Sequence, residues 1–281
     1  MVLIDGVPVA EGRYPNGEVV LRDVAVTPGP HRVTLRWDDD RDLFTLWALV
    51  HHLREHGATT LTLRVTYLPY SRLDRVDAPS TVFTLRHLTA FVNDLRVDEV
   101  VVVEPHSAVS LELLERSRAD YPSLDLARRA LAAVPAGTPV TLVYPDAGAA
   151  ARYGTRLAEL APDAPTLVGE KTRDFATGRI TGLVVPAPAT PLAPGTRAII
   201  VDDLCSRGGT FLAVATRLRE LGAAEVWLCV THLEATAHDG ALLAPDSPVD
   251  RVLATDALDP TPHANHPRVT ICPLDDPWRN P

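Results

Sequence analysis

The sequence is short of several things, and each shortage removes a class of protein. It has three cysteines, Cys205, Cys229 and Cys272, far apart and with no CxxC pair, so neither a disulfide framework nor a zinc ribbon is indicated. A reducing, cytoplasmic setting suits that usage best. No run of about 18 apolar residues occurs, and no charged-then-apolar leader opens the chain. Export and membrane spanning are therefore not expected. Positive charge is scarce as well: 27 Lys and Arg stand against 36 Asp and Glu, for a net charge of −9. That balance disfavours a nucleic-acid surface, and any polyanionic small molecule would have to be met by a few local cations and a divalent metal ion.

Apolar material is plentiful. With 46% hydrophobic residues in 281, the chain can fill two cores. Short Val/Ile/Leu runs (TLTLRVTYL, EVVVVEP, PVTLVYP, RAIIVDD, EVWLCVTH, RVLATD) alternate with helical patterns such as TVFTLRHLTAFVNDL, LDLARRALAAV, AAARYGTRLAEL and TFLAVATRLREL. Continuous apolar strands between helices imply parallel sheets buried on both faces. The expected fold class is α/β with two doubly wound domains, 1–118 and 119–281, divided in the polar stretch ERSRADYPS. The 25 prolines gather in VVPAPATPLAPG and after Pro245, reading as ordered loops and a Pro-rich tail.

Each half places polar residues just after a strand: Glu104 and His106 in the first, Asp202 and Asp203 in the second. Ligands of open parallel sheets collect at the carboxyl ends of strands. Residues 201–211, VDDLCSRGGTF, are the most specific stretch. Asp202 and Asp203 can hold vicinal ribose hydroxyls or help hold Mg²⁺, and the turn Ser206, Arg207, Gly208, Gly209, Thr210 offers backbone N–H groups at a helix start to a phosphate.

This stretch resembles the loop shared by type I phosphoribosyltransferases and phosphoribosyl-pyrophosphate synthetases (ribose-phosphate pyrophosphokinases), and four further segments select the synthetases. TYLPYSRLDR is similar to that family's Pro-Tyr-x-x-Tyr-x-Arg-x-Asp-Arg stretch at Pro69, Tyr70, Arg72, Asp74 and Arg75, with Leu73 where the family has glutamine. RYPNGE resembles its Phe-Ser-Asp-Gly-Glu, which implies that Tyr14 stacks on adenine in a neighbouring subunit while Asn16 and Glu18 read the base edge. VVVVEPHSA takes the place of Asp-Leu-His, so Glu104 and His106 are implied to position the Mg-ATP phosphates. VYPDAGAAARYG resembles Ser-Pro-Asp-x-Gly-Gly, with Asp146 near ribose and metal and Arg152 on the helix behind. GEKTRDFATG resembles the mobile catalytic loop, with Lys171 and Arg173 as its basic pair.

The resemblance implies type I phosphoribosyltransferase-like domains, the first on the ATP side and the second on the ribose-phosphate side. The reaction it implies is Mg²⁺-dependent transfer of a diphosphoryl group from ATP to the 1-hydroxyl of a ribose 5-phosphate-type acceptor, by a homo-oligomer of at least two chains. The family's Asp-Thr-x-Gly-Thr turn is Ser206-Arg207-Gly208-Gly209-Thr210 here, more positive by two charges. That change points to an acceptor extended beyond its 5-phosphate, with ADP-ribose the candidate. A phosphoribosyltransferase and a non-catalytic, synthetase-associated regulatory protein are the other readings. The first has no use for RYPNGE or YLPYSRLDR, and the second is expected to lose Lys171 and Arg173. His51, His52 and His56 fall on LWALVHHLREHG, where the i,i+4 spacing of His52 and His56 is compatible with a metal. With no HExxH acid beside them, they read as an exposed helix face.

Overall fold

A computed structural model of the chain describes residues 1–76, 78–173, 180–188 and 190–274, with the backbone alone for 171–173 and 180–183. It divides into two compact units, Met1–Tyr121 and Pro122–Pro281. None of the described helices is long and apolar enough to cross a membrane.

The first unit runs β1 (Val2–Ile4), β2 (Val7–Pro8), β3 (Glu11–Arg13), β4 (Val19–Leu21), β5 (Gly29–Leu35), α1 (Arg41–Glu55), β6 (Ala58–Val65), α2 (Thr84–Asp94), β7 (Glu99–Val103), α3 (Ala108–Leu113) and β8 (Ser117–Asp120). Its main sheet has the order β2-β1-β5-β6-β7-β8. Strands β5 to β8 are parallel, while β1 and β2 add an antiparallel edge. The core is aliphatic: Val33, Leu35, Leu61, Leu63, Val100 and Val102 from the sheet meet Leu46, Leu49, Leu53, Leu85 and Val92 from the helices. The polar run around Arg118 is not a connection. It forms the edge strand β8, paired with β7 through Val101↔Arg118 and Val103↔Asp120, and an edge strand tolerates the polar residues that made it look like a loop.

The second unit runs α4 (Pro122–Ala132), β9 (Val140–Tyr144), α5 (Ala147–Leu160), β10 (Thr166–Val168), β11 (Glu170–Arg173), β12 (Ile180–Val184), β13 (Arg197–Cys205), α6 (Gly209–Glu220), β14 (Glu225–Leu233), β15 (Arg251–Thr255) and β16 (Val269–Cys272). The sheet β10-β9-β13-β14-β15-β16 is wholly parallel. Alternate residues of a strand face opposite sides. Ala198 and Ile200 join the cluster containing Phe211, Val214 and Leu218 of α6, whereas Ile199 and Val201 are buried outside it. Helix α4 packs on β13, β14 and β15. Helices thus cover both faces, as continuous apolar strands require.

In the stretch GEKTRDFATG, residues 170–173 form the strand β11, and 174–178 lie outside the described residues. The strand pairs antiparallel with β12 through Lys171↔Leu183 and Thr172↔Gly182, with an irregularity between Thr172 and Arg173. Ladder hydrogen bonds explain why this polar stretch holds an extended form.

Candidate active site

The carboxyl ends of β9, β13 and β14 carry the polar residues of the second unit. Strand β13 ends in Asp202, Asp203, Leu204 and Cys205, in parallel register with Val230 to Leu233 of β14. Arg152, projecting from α5, binds both acids: its Nη2 donates to Asp202 Oδ1 at 2.8 Å and to Asp203 Oδ1 at 3.0 Å. Asp203 is 4% exposed. Burial raises the Asp202 pKa well above the ordinary carboxylate value, the Asp203 charge adds to that, and Arg152 opposes it. Burial works to lower the Arg152 pKa, but the neighbouring acids and Tyr153 carry it above normal, so the guanidinium stays charged. The two acids share one cation.

Asp146 caps α5. It is extended (φ −157°), and its Oδ1 accepts from the Ala149 N–H at 3.0 Å, as N-cap acids do. A Cβ at residue 148 would come to 3.0 Å from that oxygen, so Gly148 gives the cap its room.

The turn after β13 leads into α6, with Gly208 as N-cap in the left-handed region (φ +79°) and no side chain capping the helix. The first N–H groups of α6 therefore have no intrahelical acceptor, the condition that suits an anion. Gly208 is required twice over, by its φ and because a Cβ there would sit 2.7 Å from Leu242 Cβ. Gly209 faces open space, with nothing within 4 Å of an added Cβ. Arg207 and Thr210 are exposed. Ser206 Oγ lies 3.0 Å from Thr236 Oγ1, which donates to Glu234 Oε2 at 3.1 Å, while the Glu234 N–H donates to the Cys205 carbonyl at 2.9 Å. Burial, with Glu234 and Asp202 nearby, pushes the Cys205 thiol up to about 12 and keeps it protonated.

In the first unit β3 and β4 form a hairpin whose turn is residues 14–18. Tyr14 N–H donates to the Glu18 carbonyl (3.0 Å), Gly17 has φ +93°, and Asn16 Oδ1 accepts from Glu18 N–H at 3.2 Å. The Asn16 oxygen is thus engaged within the turn. Thr45 of α1 donates to Glu11 at 2.7 Å and docks the hairpin on the helix. Tyr14, 51% exposed, and Glu18 line a pocket of about 490 Å³ with Val19, Arg41 and Phe44. Arg72, Asp74 and Arg75 do not line it. They follow β6 in a loop where Arg72 and Arg75 are exposed and Asp74 is half-buried. That loop turns at Tyr70 (φ +61°), whose hydroxyl donates to Asp40 at 2.5 Å. Glu104, 2% exposed, also has positive φ (+49°), and its N–H donates to the Asp120 carbonyl at 2.7 Å; His106, two residues on, is half-buried.

Residues 125–260 match the phosphoribosyl transferase domain family. The chain is similar to the ribose-phosphate pyrophosphokinases of Saccharolobus solfataricus (29% identical over 78% of this chain and 74% of that one) and Methanopyrus kandleri (26%, over 95% and 88%). Its fold is similar to that of phosphoribosylpyrophosphate synthetase from Mycobacterium smegmatis, with a TM-score of 0.75 and 19% identity over 95% of this chain and 86% of that one. Over most of its length the chain is thus similar to the phosphoribosyl-pyrophosphate synthetases, whose fold it shares.

Within this synthetase fold the structure also holds residues that sequence reasoning passed over. Thr236 and Glu234, which steady Ser206, lie some 30 positions away in a segment with no motif of its own. Gly240 packs so tightly on the turn that a Cβ there would collide with the Arg207 carbonyl. The signal available was the small and polar run EATAHDG directly after a strand end. The side chains of Lys171 and Arg173 lie outside the described residues, although their backbone is in β11.

Proposed function

We propose that this protein is a ribose-phosphate diphosphokinase-like enzyme. The oxygen of a sugar's anomeric hydroxyl attacks the β-phosphorus of ATP, the bond from that phosphorus to the α-phosphate oxygen breaks, and AMP leaves with the electron pair. The hydroxyl proton passes to solvent, and no residue is assigned as base. The observation that carries the reading is the Asp202/Asp203 pair, clamped by Arg152 directly ahead of an uncapped helix start, in a chain similar to the synthetases. The aspartates would bind the ribose hydroxyls and the 206–210 turn the acceptor's phosphate, with the second unit on the ribose-phosphate side and the first on the ATP side. Tyr14, Glu18, Asn16, Arg72, Asp74, Arg75 and His106 are assigned to ATP. Tyr14 would serve a neighbouring copy, so the enzyme would be at least a dimer.

Glu104 and His106 of the first unit and Asp146 of the second are assigned to Mg²⁺, an ion that prefers hard oxygen donors such as carboxylates. Mg²⁺, when bound, supplies charge neutralisation on the phosphates of ATP. The chain's own part is alignment and cationic stabilisation of the moving group by Lys171 and Arg173. Lys171 is the single lysine beside 26 arginines. In a chain that uses arginine everywhere else, a lone lysine in the basic triplet supports a specific role for a compact ammonium. Lys171→Ala is expected to lower AMP formation about 100- to 1000-fold with the fold intact. AMP formation that persists undiminished in the variant removes the assignment. No AMP from either protein supports the regulatory reading.

The finer acceptor assignment is ADP-ribose, converted to its 1-pyrophosphate. Exposed Arg207 and the open space at Gly209 support it, because they leave room and positive charge for a second phosphate. AMP release measured with ribose 5-phosphate and ADP-ribose side by side decides between them, and a strong preference for the simple sugar phosphate rejects the extended acceptor.

A further inference from the structure

The C-terminal turn of α1 carries a cluster that the proposed reaction does not use. His52, Glu55 and His56 each offer one ligand atom, and these atoms lie within 4.8 Å of one another. Their spacing, i, i+3 and i+4, places all three on one helical face. The sequence there is His-Leu-Arg-Glu-His: the acid stands two residues further along than in an HExxH pattern. Glu55 and His56 are exposed and His52 is half-buried, so an ion has free access.

Both imidazoles are held by backbone carbonyls. His56 Nδ1–H donates to the His52 carbonyl at 2.8 Å, and His52 Nε2–H donates to the Val24 carbonyl at 3.3 Å. A carbonyl only accepts, so the neutral tautomers are set and the lone pairs fall on Nδ1 of His52 and Nε2 of His56. Metal-binding histidines are commonly held this way, one nitrogen on a carbonyl and the other on the ion. The two rings lie 4.1 Å apart, centroid to centroid. His51, the adjacent histidine, is turned away, its ring packed edge-on against Trp47 at 4.9 Å.

We propose that His52, Glu55 and His56 form a binding site for one divalent transition-metal ion of the zinc class, separate from the Mg²⁺ of phosphoryl transfer. Two imidazole nitrogens and one carboxylate oxygen suit Zn²⁺, Co²⁺ or Ni²⁺, whereas Mg²⁺ takes oxygen donors. Water fills the remaining positions. Among the described residues no further His, Cys, Asp or Glu joins the cluster. An ion here would tie the last turn of α1 to the segment after β4 through the His52–Val24 contact.

The test uses the full chain, stripped with chelator and titrated at pH 7.5 with Zn²⁺, with Co²⁺ for its visible absorption, and with Mg²⁺ as control. One equivalent of Zn²⁺ should bind, with affinity falling at least about tenfold in His52→Ala and in His56→Ala. Glu55→Gln should weaken binding less, and His51→Ala should leave it unchanged. Lowering the pH should weaken binding, because protons compete with the ion for its ligand atoms. Absence of zinc uptake overturns the proposal, and so does uptake undiminished in the double variant His52→Ala/His56→Ala. Glu55 and His56 are exposed, so Glu55→Gln and His56→Ala keep the fold and serve alone if replacing His52 does not.

Discussion

In the second unit the acidic end of β13 is tied down by side chains: Arg152 reaches both aspartates, and the Thr236 hydroxyl reaches Ser206. In the first unit the corresponding strand ends are shaped by backbone. Tyr70 and Glu104 both sit at positive φ, and the aromatic residue assigned to the nucleotide stands half in solvent on a hairpin. Side-chain networks fix charged groups before a ligand arrives. Positive φ in a residue with a side chain costs about 1–3 kcal/mol, which the surrounding fold must offset. The polar strand end of the second unit is thus held by side-chain contacts, and that of the first by backbone conformation beside an exposed hairpin.

Removing the clamp is the strongest way to break this contrast. Arg152→Ala leaves two buried carboxylates without their shared cation, and urea unfolding should show a loss of about 3–5 kcal/mol. Arg152→Met, which restores volume without charge, should still fail to support AMP formation. A stability change under about 1 kcal/mol would mean that the network holds nothing. Next comes the turn. Gly208→Ala must meet both the left-handed backbone and Leu242, for an expected cost of about 1–3 kcal/mol, whereas Gly209→Ala should leave the melting temperature unchanged. If Gly209→Ala nonetheless raises KM for the acceptor, the open side of the turn is where that ligand sits.

On the first unit, Tyr14→Ala should leave stability unaltered and raise KM for ATP about tenfold, the size of one lost stacking contact. An unchanged KM would detach the hairpin from nucleotide binding. The smallest effect concerns His263, buried beside β14. Its Nε2–H donates to the Leu233 carbonyl (3.2 Å), and its Nδ1 accepts from His238 at 2.9 Å. Burial lowers its pKa, and the nearby His238 and His266 lower it further, against the Leu233 bond and Asp259. The unfolded chain then binds the proton more readily than the folded one, so stability is full above about pH 6.5 and declines as pH falls below it. Thermal melts at pH 7.5 and 5.5 should separate, and His263→Gln should narrow the gap.

Much of this was legible beforehand. Strands β6, β7, β9, β13 and β14 were apparent as continuous apolar runs, because a parallel strand buried on both faces needs no polar alternation. The VDDLCSRGGT turn was legible because a strand end, paired acids and glycines occur in one short stretch. Strand β8 was not, since an edge strand can be polar. The Ser206–Thr236–Glu234 relay was not either, for its members come from different elements. The His52–Glu55–His56 group was seen only as a histidine pair, because spacing says which residues share a face and nothing about whether their ligand atoms converge.

By itself the sequence determined the periodicities, the alternation of strand and helix and the chemical kinds of residue at strand ends, all of which depend on neighbours within a few positions. The tertiary structure alone decided that Arg152 bridges Asp202 and Asp203, 50 and 51 residues away, that Leu242 forbids a side chain at Gly208, and that Val24 sets the tautomer of His52. The reason is physical: such contacts are made by parts of the chain that meet only when the sheet is assembled, and no local preference encodes which partner arrives.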